Sequence, residues 1–460
     1  MTAYKARYLI APNGVIEDGV LTVDDGQISA IGTGAYDIDL GDVVMAPGIV
    51  NGHSHAFQRL IRGRTEYVLR DTADDDFWSW RTQMYAAAES LDPAGIEIVS
   101  RMTFLEMALT GISTVGEFHY VHHQPGGTPY ADPNELANRV IQAAQDVGIR
   151  INLLRVAYHR GGHGRPTSPQ QARFTDERIE TYLERVAALT EHWQSADRVQ
   201  IGFAPHSVRA VSGPWLARIA AESERTGQVI HIHACEQRRE LAESIAEYGA
   251  PPIPVFADLG LLGTRTTLVH GTHLEDRDLD LLARFRPTVC ACPTTERNLG
   301  DGFLPTTALL QRDVPICLGT DSQAQIDLWE DARLLEYHER LRSERRNVLA
   351  VQRNARRVEL DGRVDTAAVL WPSLNRHGAR ALGLDVGSLQ PGTAADFITV
   401  DLNDVSMAGA NVQSVLTDLV FSAHRRAVRD VYVGGQAIVS AGRHRAQADI
   451  VQDYINFVRR

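Results

Sequence analysis

Lysine is all but missing. Lys5 is the only one among 460 residues, so the basic side chains other than histidine are otherwise all arginine. Genomic base composition is the ordinary cause, yet the bias also removes lysine from any chemistry outside position 5. No apolar run approaches the roughly 18–20 residues that cross a bilayer, and the N-terminal stretch has no hydrophobic secretory core. A cytoplasmic location is the default expectation. A basic surface is lacking too: the formal charge is -12, which argues against nucleic acid or an anionic membrane as partner. Cysteine is scarce. Cys235, Cys290, Cys292 and Cys317 all lie in apolar, strand-like runs, which fits reduced buried thiols better than disulfides. No glycine-rich phosphate turn follows the first apolar strand, which counts against an open doubly wound sheet. Internal repeats and low-complexity tracts are absent.

What is present is a soluble globular composition, 44% hydrophobic and 23% charged, long enough for a large α/β barrel and a satellite domain. Residues 4–44 read as short strands (Lys5–Ala11, Gly19–Asp24, Gln27–Gly32), with hairpin signals at Asn13-Gly14 and Asp25-Gly26. From Val43 onward, apolar strand runs alternate with amphipathic segments. The strands expected are Val43–Val50, Ile112–Phe118, Arg150–Ala157, Val199–Ala204, Gln228–His233, Thr267–Val269, Thr288–Cys292 and Pro315–Leu318. Helices are expected over Ile96–Thr110, Pro133–Val147, Thr175–His192, Pro214–Thr226, Arg238–Tyr248 and Asp276–Arg284. Eight strand–helix units predict an α/β chain built as a (β/α)8 TIM-like barrel over 45–374. After about Asn375 the texture turns β-like again, at Leu389–Asp401 and Val428–Ser440. Residues 1–44 and 375–460 are therefore expected to form one small discontinuous β-sandwich domain. Residues 71–80, acidic and aromatic, read as a solvated loop or as a lid over the site.

Barrel chemistry sits at the carboxyl ends of the strands. His53 and His55 are two apart, so on a strand both imidazoles face one point, as a metal such as zinc requires. Alone, the pair could equally be two exposed loop histidines. Later strand ends carry Glu117-Phe-His-Tyr120, His206-Ser-Val-Arg209, His231-Ile-His233-Ala-Cys-Glu236, His270 and Thr320-Asp321. Histidines and carboxylates gathered at one end of a barrel are what a catalytic metal needs.

Pro47-Gly-Ile-Val-Asn-Gly-His-Ser-His55, His233-x-x-Glu236, His270, Thr320-Asp321 and Gly387-x-x-x-Pro391-Gly-x-x-Ala395-Asp-Phe397 together resemble the amidohydrolase superfamily over nearly the whole chain. In that family a carboxylated lysine on the fourth strand can bridge two metals. Here that strand reads Ile201-Gly-Phe-Ala-Pro-His206 and contains no lysine. The resemblance then implies the mononuclear deaminase branch: one divalent metal per chain, zinc first and Fe2+ or Mn2+ next, held by His53, His55, His233 and Asp321. His231 shares the strand parity of His233 but is read as barrel packing. The implied catalytic groups are Asp321 as proton acceptor, Glu236 as proton donor to the departing nitrogen, and His270 as stabiliser of developing charge.

Within the branch, His55-Ala-Phe-Gln-Arg59, Phe77-Trp-Ser-Trp-Arg81, Gly116-Glu-Phe-His-Tyr120 and His206-Ser-Val-Arg209 resemble segments of the members that deiminate N-formimidoyl-L-glutamate. By that resemblance Gln58, Arg81, Tyr120, His206 and Arg209 contact substrate. The chemistry agrees, because arginine forks bind carboxylates bidentately and the expected substrate is a small dianionic amidine. Another purine, pyrimidine or amidine deaminase is the alternative, and a non-catalytic barrel scaffold the remote one. A homodimer is a family-level expectation.

Overall fold

The computed structural model describes residues 1–68, 75–351, 359–360 and 363–459. Eight parallel strands form the central sheet: β1 (Ile49–Ser54), β2 (Ile112–His119), β3 (Arg150–Ala157), β4 (Val199–Pro205), β5 (Ile230–Ala234), β6 (Thr266–His270), β7 (Thr288–Ala291) and β8 (Ile316–Leu318). They pair in chain order. Closure is made by site residues themselves, through a bridge between Ser54 and Asp321. His55 N donates to Asp321 O at 3.0 Å, and Asp321 N donates to His53 O at 3.1 Å. The strands are apolar on both faces because one packs the barrel interior and the other meets the outer helices. Every residue of β1, β2, β5, β6, β7 and β8 is buried.

Both chain ends contribute to a second sheet. Its nine strands, from Thr2–Ala11 to Arg443–His444, are hydrogen-bonded into one mainly antiparallel sheet. The expected strand Val43–Val50 is in fact two. Val43–Pro47 pairs with Phe397–Asp401 in the terminal sheet, whereas Ile49–Ser54 begins the barrel. The chain crosses between sheets at Gly48, whose N–H donates to Asp396 O at 3.0 Å. A Cβ there would lie 2.8 Å from Ser113 Cβ, so only glycine fits the crossing. Both halves are apolar, and hydrophobic pattern alone cannot show where one sheet ends and the other starts.

The C-terminal region holds helices that its β-like texture hid. Arg376–Leu382 closes the barrel floor. Ala381 O accepts from His231 Nε2 at 2.8 Å, and Leu382 O accepts from Asn152 Nδ2 at 2.8 Å. Gln447–Val458 packs on the barrel helix Pro93–Leu109, with the Phe457 ring against Gly95. Asp396 ties the two sheets together, accepting from Arg150 of β3 at 3.0 and 3.1 Å and from Gly434 N at 2.7 Å. Of the segment 71–80, residues 71–74 lie outside the described residues, and 77–80 are helical, opening Phe77–Glu89. Asp76 caps that helix, its side chain accepting from Trp78 N at 2.8 Å and Ser79 N at 3.1 Å. Among the described residues no helix is long and apolar enough to cross a membrane.

Candidate active site

The carboxyl ends of β1, β5 and β8 bring His53, His55, His233 and Asp321 together. One ligand atom of each lies within 4.8 Å of the others, and all four residues are buried. His53 Nε2 and His55 Nε2 are 3.2 Å apart, and Asp321 Oδ1 lies 3.3 Å from the first and 3.2 Å from the second. These spacings approach the edge of a tetrahedron whose corners sit about 2.0–2.1 Å from a central zinc. The far ring nitrogens are anchored to backbone: His55 Nδ1 pairs with Phe118 O at 2.8 Å and His233 Nδ1 with His206 O at 3.0 Å. Such anchoring assigns the proton to Nδ1 and leaves Nε2 its lone pair. His53 Nδ1 is buried without a hydrogen-bond partner. Burial pushes the His53 imidazole down to about 3 and holds His233 well below the usual range. Burial opposes the charge on Asp321, but the contacts from His53 and His55 outweigh it and keep the carboxylate ionised. Three imidazoles converging on an ionised carboxylate, with His53 and His233 disfavoured as cations by burial, suit a divalent cation.

His231 points to the barrel floor, as its bond to Ala381 O shows. His270 and Asp321 both have positive φ, 76 and 46°, so the chain kinks where β6 and β8 end. Backbone of this kind concentrates at functional sites. His270 Nδ1 lies 3.4 Å from Glu296 Oε1, and its Nε2 lies 3.6 Å from Glu236 Oε1 and 3.8 Å from Asp321 Oδ2. Burial works against a charged ring, yet Glu236, Glu296 and Asp321 outweigh it and push His270 up to about 10. Burial raises the Glu236 carboxyl as well. Two acid–base groups thus face one point.

A cleft opens over this cluster. Its walls include Gln58, Arg81, Tyr120, His206 and Arg209, together with His55, His233, Glu236, His270 and Asp321. Gln58 Nε2 donates to Tyr120 Oη at 2.8 Å, while Gln58 Oε1 is buried without a partner. Arg209 is 8% exposed. Its Nη2 sits 3.7 Å from Glu236 Oε2 and its Nε 3.7 Å from Glu240 Oε2, with Nε itself unpartnered. These are charge contacts too long for hydrogen bonds. Arg81 lies over the Trp78 ring at 4.5 Å. Of the expected ligand, catalytic and substrate-contacting residues, all but His53 line this cleft, and His53 meets it through His55 and Asp321.

Several wall residues escaped sequence reading. Tyr158 follows β3, so extending the strand-end rule to that strand would have found it; the same rule applied to β7 would have found Glu296, buried beneath the cleft against His270. Trp80, Met84 and Tyr85 come from the helix Phe77–Glu89, which the acidic run before it disguised.

The Amidohydrolase family profile matches residues 44–438. The chain is 35% identical over 453 residues to formimidoylglutamate deiminase of Pseudomonas aeruginosa, covering 96% of each. It is 28% identical over 447 residues to 5-methylthioadenosine/S-adenosylhomocysteine deaminase of Saccharophagus degradans, covering 94% of this chain and 89% of that one. Among solved structures it superimposes on an amidohydrolase from Brucella melitensis with a TM-score of 0.89 and 31% identity, over 100% of this chain and 99% of that one.

Proposed function

Because the chain belongs to the amidohydrolase family, we propose that it hydrolyses N-formimidoyl-L-glutamate to N-formyl-L-glutamate and ammonia, a step of histidine degradation. The carrying observation is Arg209: a buried guanidinium on the cleft wall, with charge partners at 3.7 Å and an unpartnered Nε. A substrate carboxylate would complete it with charge-assisted bonds. Arg81, on the helix Phe77–Glu89 and over the same Trp78 ring as Arg209, is a second guanidinium for the second carboxylate. The 35% identity to formimidoylglutamate deiminase supports the same reading.

One divalent ion, zinc by preference for three imidazoles and a carboxylate, would be held by His53, His55, His233 and Asp321 and would activate the attacking water. Asp321 divides its labour: Oδ1 faces His53 and His55, while Oδ2 faces His270. Oδ2 is therefore placed to take the proton from that water. Glu236, its carboxyl raised by burial, stays protonated far enough up the pH scale to deliver a proton to the departing nitrogen. His270, held as a cation by its carboxylate neighbours, stabilises charge developing at the attacked carbon. Gln58, Tyr120 and His206 fix the amidine end.

Phe77, Trp80, Tyr85 and Tyr158 also line the cleft, and they favour a second reading, a deaminase that stacks a heterocyclic base. Ammonia release is measured with metal-replete protein on N-formimidoyl-L-glutamate beside adenosine, guanine and cytosine derivatives. Turnover of the formimidoyl compound far above the bases is expected. Turnover of a base alone would establish the second reading, and none of either would sink both.

A further inference from the structure

We propose that His270, Cys292 and Asp321 form a second cation site beside the first, selective for a thiophilic divalent ion and sharing the Asp321 carboxylate. A ring nitrogen of His270, the Cys292 sulfur and an Asp321 oxygen all lie within 4.8 Å of one another, and all three residues are buried. A single carboxylate arranges two of them: Glu296 Oε1 lies 3.4 Å from His270 Nδ1 and accepts from Cys292 N at 2.9 Å. That leaves His270 Nε2 turned toward Glu236 and Asp321 at 3.6 and 3.8 Å, distances too long for hydrogen bonds but open to a bridging ion. The Cys292 sulfur lies 3.9 Å from Cys290 O and also contacts the Cys290 thiol. Three carboxylates, Glu236, Glu296 and Asp321, make the gap strongly negative, and His270 and Asp321 open it to the cleft.

A thiolate–imidazole–carboxylate set favours Zn2+ or Cd2+ over Mg2+ or Mn2+. On binding, the Cys292 thiol and the His270 imidazolium each release a proton to solvent, and the sulfur and the freed ring nitrogen each donate a lone pair to the ion. The site differs from a lysine-bridged pair, since the only lysine, Lys5, lies in the terminal sheet. Occupation would take His270 from charge stabilisation and one Asp321 oxygen from proton transfer, so excess zinc should inhibit. This inference does not depend on which amidine is the substrate.

The test is titration of the one-zinc holoprotein with Cd2+, followed by thiolate-to-cadmium absorption in the ultraviolet and by metal analysis. The expected result is a charge-transfer band that grows with a second equivalent of metal per chain. Cys292→Ser should lose the band and the second equivalent while keeping the first. X-ray absorption of the cadmium-loaded wild type should show one sulfur neighbour, which keeps the test alive if the variant fails to fold. Saturation at one metal without a band would overturn the site, as would a band that survives in Cys292→Ser.

Discussion

At the scale of single residues, the chemistry divides between groups that hold and groups that move protons. Arg209 is a holding group, aimed into the cleft from just past β4 and pressed between Glu236 and Glu240. Arg209→Ala should raise KM for the proposed dianionic substrate and lower kcat/KM by about 100-fold, the scale of losing one partner of a buried charge pair. Unchanged kinetics would remove it from the site. Glu236, the proposed proton donor, stands outside the cluster of His53, His55, His233 and Asp321. Glu236→Gln should therefore lower kcat by roughly 10²–10⁴-fold with metal content unaltered. Loss of metal in that variant would show that Glu236 belongs to the ligand set.

At the scale of elements, the helix Phe77–Glu89 carries Phe77, Trp80, Arg81, Met84 and Tyr85 to the cleft. Its start rests on Asp76, which satisfies two free N–H groups. Asp76→Ala should cost that helix about 1 kcal/mol and raise KM with little change in kcat, because Arg81 touches no group of the catalytic cluster. A steady-state comparison decides it: an unaltered KM would separate the helix start from substrate binding. The strands show how much of this order was legible beforehand. β3 spans Arg150–Ala157 as expected, and the barrel strands other than β1 differ at their ends by a residue or two, since apolar runs between turn signals are local features. The split at Gly48 was not legible, because Val43–Pro47 and Ile49–Ser54 are apolar for different neighbours.

At the scale of the whole molecule, buried ion pairs weld the barrel's outer layer. Arg155 and Asp176 are fully buried and meet at 2.6 Å, and Arg185 bonds the other oxygen of Asp176. Burial alone would raise the Asp176 carboxyl, but Arg155 and Arg185 outweigh it and set its folded value below normal. The folded state then binds fewer protons than the unfolded state just below the ordinary carboxylate range. Stability from this cluster is fully present above about pH 4. It is lost as pH falls through the lower folded value. Unfolding free energies of wild type and Asp176→Asn, measured by denaturant titration, should thus differ by about 3–5 kcal/mol at neutral pH and converge in acid. A constant gap down to acid pH would refute the linkage.

Sequence alone determined the type of barrel and the metal hook. The two-residue parity of His53 and His55, the order of polar strand ends, and the lack of any lysine beyond Lys5 are properties of the chain itself. Only the tertiary structure decided what those residues meet. His231 and His233 have identical parity, yet β5 sends the first to Ala381 on the barrel floor and the second to His53, His55 and Asp321. Cys292 is the buried reduced thiol expected, and the fold also brings it within 4.8 Å of His270 and Asp321. Parity selects a face of a strand, but height along the barrel and the neighbour on the next strand depend on register and closure. Those are set by contacts between residues hundreds of positions apart, such as Ser54 with Asp321.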